Sequence, residues 1–126
     1  MTAYLFVALG SAAGGMLRYW LSNYVYKWLP VFFPFGTLTV NFIGSFIIGL
    51  LVFGLDDRGL LSPETRLLLT VGFCGGFTTF STFSLETVNL IKNSEYLLAA
   101  INIVASVVLT LAATFLAYVL SAGKEA

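Results

Sequence analysis

Long apolar stretches separated by short polar connections run the length of this chain: Thr2–Asn23, Gly36–Leu55, Thr65–Ile91 and Tyr96–Ser121. Each offers the roughly 20 residues that a helix needs to cross the hydrocarbon layer. The pattern predicts an all-α membrane protein with four transmembrane helices, residues 1–126 forming a single domain. The connections are YVYKWLPVFFPF, DDRGLLSPE and KNSE. Pro30 and Pro34 keep the first out of a helix, and Pro63 stands where a following helix can begin. Tyr19, Trp20, Tyr24, Tyr26, Trp28 and Tyr96 gather at one predicted face, as an interfacial aromatic belt does. The opening MTAYLFVALG lacks the basic region and cleavage pattern of a secretory signal, so the first stretch is expected to remain as a span.

Polar residues inside the stretches interrupt this pattern, and at membrane depth such residues carry a role. In the second stretch, GTLTVN brings in Thr37, Thr39 and Asn41, the last ~9 Å along its helix by rise. Its amide either bonds neighbouring helices or offers donors to a passing ion. In the fourth, Asn102, Ser106, Thr110 and Thr114 recur every four residues and share one helix face. That stripe is either a polar path or a set of local back-bonds to the helix.

The third stretch departs furthest from a plain span, reading VGFCGGFTTFSTFSLET over residues 71–87. Gly72, Gly75 and Gly76 each lower helix propensity by about 1 kcal/mol relative to alanine. Thr78, Thr79, Ser81, Thr82 and Ser84 compete for backbone hydrogen bonds. The third helix is therefore expected to be broken near mid-membrane, around Gly75–Thr79, where protein or a water-filled cavity must satisfy the freed carbonyls. Two facing breaks in a dimer would satisfy them with a cation; a kink with tight glycine packing is the other reading. Phe80 and Phe83 lie three apart among hydroxyls, and the edge of a phenyl ring is electropositive enough to meet an anion. Arg18, ~26 Å along the first helix, and Glu86 are expected at one membrane face, as an ion pair or as vestibule residues.

Charge and composition narrow the classes. Hydrophobic residues make up 59% of the chain and charged residues 10%, far below the roughly 25% charged residues of soluble domains. Net charge is zero, so no basic face invites nucleic acid. The chain has no histidine and a single cysteine, Cys74, which removes His-based metal sites, His proton relays, Cys–His nucleophiles and an internal disulfide. No enzyme chemistry is indicated. Arg58, Arg66 and Lys124 fall on one predicted face and Arg18, Lys27 and Lys92 on the other. This balance leaves the positive-inside rule without a preference and permits insertion both ways round, hence an antiparallel homodimer. A weak bias from loop context is the alternative. Gly10–Gly14, Gly72–Gly76 and Ser11–Gly15 allow close helix approach, between subunits or within one.

GTLTVN at 36–41, GFCGGFTTFSTFSLET at 72–87 and the GxxxGxxxR of Gly10, Gly14 and Arg18 resemble the Fluc (CrcB-type) fluoride channels over nearly the whole chain. The resemblance implies an antiparallel, dual-topology homodimer in the bacterial cell membrane, with two pores that pass fluoride passively out of the cytoplasm. It implies that Asn41, Phe80 and Phe83 line the pores, flanked by Ser81, Thr82, Ser84 and Glu86. Gly75 and Thr78 would offer backbone carbonyls to one structural Na+ shared by both subunits and not transported. Ser106, Thr110 and Thr114 fall on the family's polar track. The different-class rival is a small proton-coupled multidrug exporter, which needs a membrane-embedded carboxylate that the first stretch lacks. A non-transporting packing subunit would explain the glycines but not hydroxyls aligned along two helices.

Overall fold

Proline, serine and glycine punctuation sets the helix ends in the computed structural model, which describes residues 1–122 and so leaves Lys124 outside. Helix α1 (Thr2–Val25) runs into the turn that carries Pro30 and Pro34. Helix α2 (Phe35–Arg58) starts directly after Pro34. Ser62 caps α3 (Pro63–Lys92): its Oγ accepts from the Thr65 N–H at 3.1 Å, with Pro63 in the first turn. Between α2 and α3, Gly59 adopts φ +71°, a left-handed conformation that glycine takes without strain. Arg66 Nε and Asp56 Oδ1 close that loop at 2.8 Å. Helix α4 (Tyr96–Ala122) follows a tight turn in which the Glu95 N–H donates to the Leu90 carbonyl at 2.8 Å.

Two helices change geometry along their length. Helix α2 widens to a π-helix over Leu50–Leu55 and ends in a 3₁₀ turn, Asp56–Arg58, so it runs past the predicted end at Leu55. Helix α3 is π-helical over Leu67–Cys74. Within α3, Thr78 (φ −88°, ψ 157°) and Thr79 (φ −151°, ψ 117°) are extended, and helix resumes at Phe80.

Helices α2, α3 and α4, of 24, 30 and 27 residues, are long and apolar enough to cross a membrane. Helix α1 has 24 residues, but Gly10, Ser11, Gly14, Gly15 and Arg18 make it less apolar than the others. Those small residues have a packing cause, because α1 lies along the Leu67–Phe77 part of α3. A Cβ on Gly10 would collide with the Leu68 carbonyl oxygen, and one on Gly14 with that of Phe73. A Cβ on Gly76 would meet the Ser11 carbonyl at 2.5 Å. Both GxxxG pairs thus join helices inside one chain. Of the Ser11–Gly15 pair, Ser11 meets Gly76, whereas a methyl added at Gly15 would find nothing within 4 Å among the described residues. Helix α2 lies along α4, where a Cβ on Gly49 would come within 2.7 Å of the Ala117 methyl. Val40, Cys74, Phe77, Ala113 and Ala117 form the buried core, while large apolar side chains cover the outer faces, as lipid contact requires.

Candidate functional site

The two extended residues of α3 are held in place by α2. Asn41 Nδ2 donates to the Thr79 carbonyl at 3.0 Å, and Asn41 Oδ1 accepts from the Thr79 N–H at 2.8 Å. One side chain thereby serves the Thr79 N–H, which has left the helical ladder, and adds a second donor to the carbonyl that opens the resumed helix. Thr79 Oγ1 caps the resumed helix, accepting from the Thr82 N–H at 3.2 Å. The Thr78 hydroxyl donates back to the Cys74 carbonyl at 2.9 Å, and Arg18 Nε donates to the Gly76 carbonyl at 3.1 Å. The Thr79 N–H, which an uninterrupted helix would give to the Gly75 carbonyl, goes to Asn41 instead. Among the described residues the Thr78 carbonyl accepts no hydrogen bond. Asn41→Ala is expected to lower stability by about 1–3 kcal/mol, the usual effect of orphaning a part-buried donor, here the Thr79 N–H. Thermal melting of the purified protein measures it.

This clamp forms part of the wall of a cavity of about 370 Å³. Asn41 and Ser45 of α2, Gly75, Thr78, Phe80 and Phe83 of α3, and Ser106 and Thr110 of α4 line it. Its lining carries no charged side chain. The Phe80 and Phe83 rings stand 5.3 Å apart at 40°, and Phe80 is 80% exposed in the single chain. Thr110 Oγ1 donates to the Ser106 carbonyl at 2.6 Å, and Ser106 Oγ to Asn102 Oδ1 at 3.4 Å.

The other predicted site residues lie elsewhere. Thr82 shares a separate small cavity of about 80 Å³ with Arg18, Ser22 and Thr37. Ser81 and Ser84 line neither space. Glu86 lines a third cavity, of about 380 Å³, with Asn89, Asn93 and Glu95. Among the described residues Arg18 and Glu86 form no ion pair, since Arg18 is turned toward Gly76. The ends of the α4 stripe tie helices together: Asn102 Nδ2 donates to Thr87 Oγ1 at 2.9 Å, and Thr114 Oγ1 to the Ser45 carbonyl at 2.9 Å. Its middle, Ser106 and Thr110, reaches the cavity of Asn41, Phe80 and Phe83. Two cavity hydroxyls, Ser45 and Thr70, are not singled out by the sequence pattern. Ser45 carries a usable signal, lying four residues after Asn41 on the same helix face.

Comparison with known proteins gives a consistent result. A family model described as "CrcB-like protein, Camphor Resistance (CrcB)" matches residues 5–118. The chain is 52% identical over 117 residues to a protein of Pelobacter propionicus named "Fluoride-specific ion channel FluC", covering 92% of this chain and 90% of that one. A protein of the same name from Magnetococcus marinus is 50% identical over 113 residues, 90% of this chain and 92% of that one. Another, from Geobacter metallireducens, is 47% identical over 110 residues, 87% and 89% of the two chains.

Proposed function

This chain belongs to the CrcB-like family and is a multi-pass membrane protein, not an enzyme; we propose that it is a fluoride-specific channel that lets fluoride leave the cytoplasm passively. The observation that carries this reading is the single cavity shared by Asn41, Phe80, Phe83, Ser106 and Thr110. Fluoride holds its water strongly, so a pore must replace that shell with donors already in position. Amide and hydroxyl donors, together with phenyl edges, provide such a lining. A full positive charge there would hold an anion too long, and conduction needs release as well as entry. The cavity's uncharged lining suits rapid passage, and its lack of a carboxylate speaks against proton coupling.

The functional unit in this reading is an antiparallel dimer of four-span subunits in the bacterial cell membrane, with two pores at their interface. The balance of Arg18, Lys27 and Lys92 against Arg58, Arg66 and Lys124 supports insertion in both orientations. The exposure of Phe80 and Ser81 in one chain supports a face that a second copy covers, with Thr82, Ser84 and Glu86 flanking the pore mouth. The interruption at Thr78 and Thr79 lies at mid-membrane in this arrangement. The carbonyls of Gly75 and Thr78 fit a Na+ ion shared by the two copies: the first has lost its helical donor to Asn41, and the second has none among the described residues. When bound, the ion supplies a fixed positive field without a titratable side chain.

With purified protein in liposomes, fluoride efflux is expected to follow the fluoride gradient and the imposed potential at equal pH on both sides. Reversing a sodium gradient should leave it unchanged. Flux that vanishes when the pH gradient is removed contradicts the reading and favours proton-coupled export. Single cysteines placed in the DDRGLLSPE or KNSE loops of a Cys74→Ser background should label equally from both sides of the membrane. One-sided labelling contradicts the antiparallel dimer.

A further inference from the structure

We propose that the Ser45 hydroxyl is a halide-contacting donor of the cavity lined by Asn41, Phe80 and Phe83, acting beside the Asn41 amide; the inference rests on the channel reading above. The hydroxyl-bearing residues that line the cavity are Ser45, Thr70, Thr78, Thr79, Ser106 and Thr110. All except Ser45 already donate within the protein. Thr70 donates to the Arg66 carbonyl at 2.6 Å and Thr78 to the Cys74 carbonyl at 2.9 Å. Thr79 donates to Thr82 Oγ1 at 3.1 Å, Ser106 to Asn102 Oδ1 at 3.4 Å and Thr110 to the Ser106 carbonyl at 2.6 Å. The Ser45 carbonyl accepts from Thr114, but its hydroxyl has no acceptor among the described residues. A serine in a membrane helix ordinarily bonds back to the carbonyl four residues earlier, here that of Asn41. Ser45 does not, and so its O–H is left for whatever enters the cavity.

Its position is fixed by its neighbours. Gly44 presses against the Thr78 side chain and the Phe77 ring, where an added Cβ would lie 3.0 Å from Phe77 Cδ2. Thr114 grips the Ser45 carbonyl from α4. Ser45 follows Asn41 by one turn, ~6 Å along the same face of α2. Asn41 gives one amide hydrogen to the Thr79 carbonyl and has a second without a protein partner among the described residues. These two donors on α2 form a pair with no internal bond to break when an anion arrives. Hydrogen bonds to an ionised acceptor are roughly twice as strong as neutral ones, and a small, hard halide gains most from them. The pair therefore favours fluoride over larger halides.

The test compares variants of the full-length protein reconstituted in liposomes, reading fluoride efflux and the fluoride concentration for half-maximal flux. Ser45→Ala is expected to lower flux about tenfold and raise the half-maximal concentration, the size of one hydrogen bond to a charged group. Ser45→Thr keeps the hydroxyl and is expected to stay within about a factor of two of the parent. Ser45→Ala flux equal to the parent overturns the assignment, while equal losses in Ser45→Ala and Ser45→Thr overturn it in favour of a packing role. Loss of the parental oligomer in Ser45→Ala assigns the hydroxyl to subunit contact and likewise overturns it. Absence of fluoride flux in the parent protein defeats the channel reading itself, a distinct outcome.

Discussion

Phe83→Ile lowers fluoride flux through the reconstituted protein by about thirtyfold, ~2 kcal/mol, taking the anion–edge contact to match in size a desolvated contact of a cation with a ring face. Isoleucine keeps an apolar side chain at that place and removes the ring's quadrupole, so the change addresses the electropositive edge. Phe83 lines the cavity together with Asn41 and Phe80, and its ring stands 5.3 Å from that of Phe80. Phe80→Ile is expected to act in the same direction. Because Phe80 is 80% exposed in the single chain, its replacement should leave the fold of the subunit unchanged. Flux measured in liposomes, beside the melting temperature of each variant, separates the two effects. Undiminished flux after both substitutions removes the phenyl rings from the conduction path.

Gly14→Ala has the largest expected effect on stability, a loss of roughly 3 kcal/mol, the upper end for overpacking. The added methyl would run into the Phe73 carbonyl and lie 2.8 Å from the Phe77 backbone nitrogen. Backbone atoms cannot rotate aside as a long side chain can, so α1 must move away from α3. That movement also strains the bond from Arg18 Nε to the Gly76 carbonyl, 3.1 Å in the native chain. Gly15→Ala is the matched control: among the described residues nothing lies within 4 Å of the new methyl, and alanine gains about 1 kcal/mol of helix propensity. Melting of both variants in detergent should therefore move in opposite directions. Equal shifts would mean that the α1–α3 contact is not as close as described.

The helical class is legible in the sequence because its cause is one-dimensional. Apolar runs long enough to cross a membrane announce helices, and Pro34, Ser62–Pro63 and the KNSE turn mark where α2, α3 and α4 begin. Helix α1 differs from the equal fourth span that run length suggests, because its glycines and Arg18 make it the least apolar of the four helices. The same glycines are explained only by the packing partner, since spacing signals a close approach without saying to what. The π-helical segments Leu50–Leu55 and Leu67–Cys74 have no residue signature, because the choice between four- and five-residue hydrogen bonds is made by packing.

The site is legible in kind and less so in detail. Spacing by four places Asn102, Ser106, Thr110 and Thr114 on one face. Which neighbour each meets depends on how α4 crosses the other helices, and so the ends bond Thr87 and Ser45 while the middle faces the cavity. Helical rise puts Arg18 and Glu86 at similar depth, yet depth carries no azimuth, and the two side chains line different cavities. Sequence leaves Asn41 as either helix glue or ion donor; in the fold its carbonyl oxygen and one amide hydrogen clamp Thr79. The spacing of Ser45 from Asn41 signals its shared helix face, but not that its hydroxyl is left unbonded, because a serine in an apolar helix ordinarily bonds its own backbone.

The central claim is that neutral donors and phenyl edges replace the water around a small halide. Fluoride and chloride efflux, measured from the same liposomes under the same imposed potential, tests it most directly. Rapid fluoride release with chloride release no faster than that of protein-free vesicles is the predicted result; comparable rates for the two ions, or fluoride retained as in empty lipid, would contradict it.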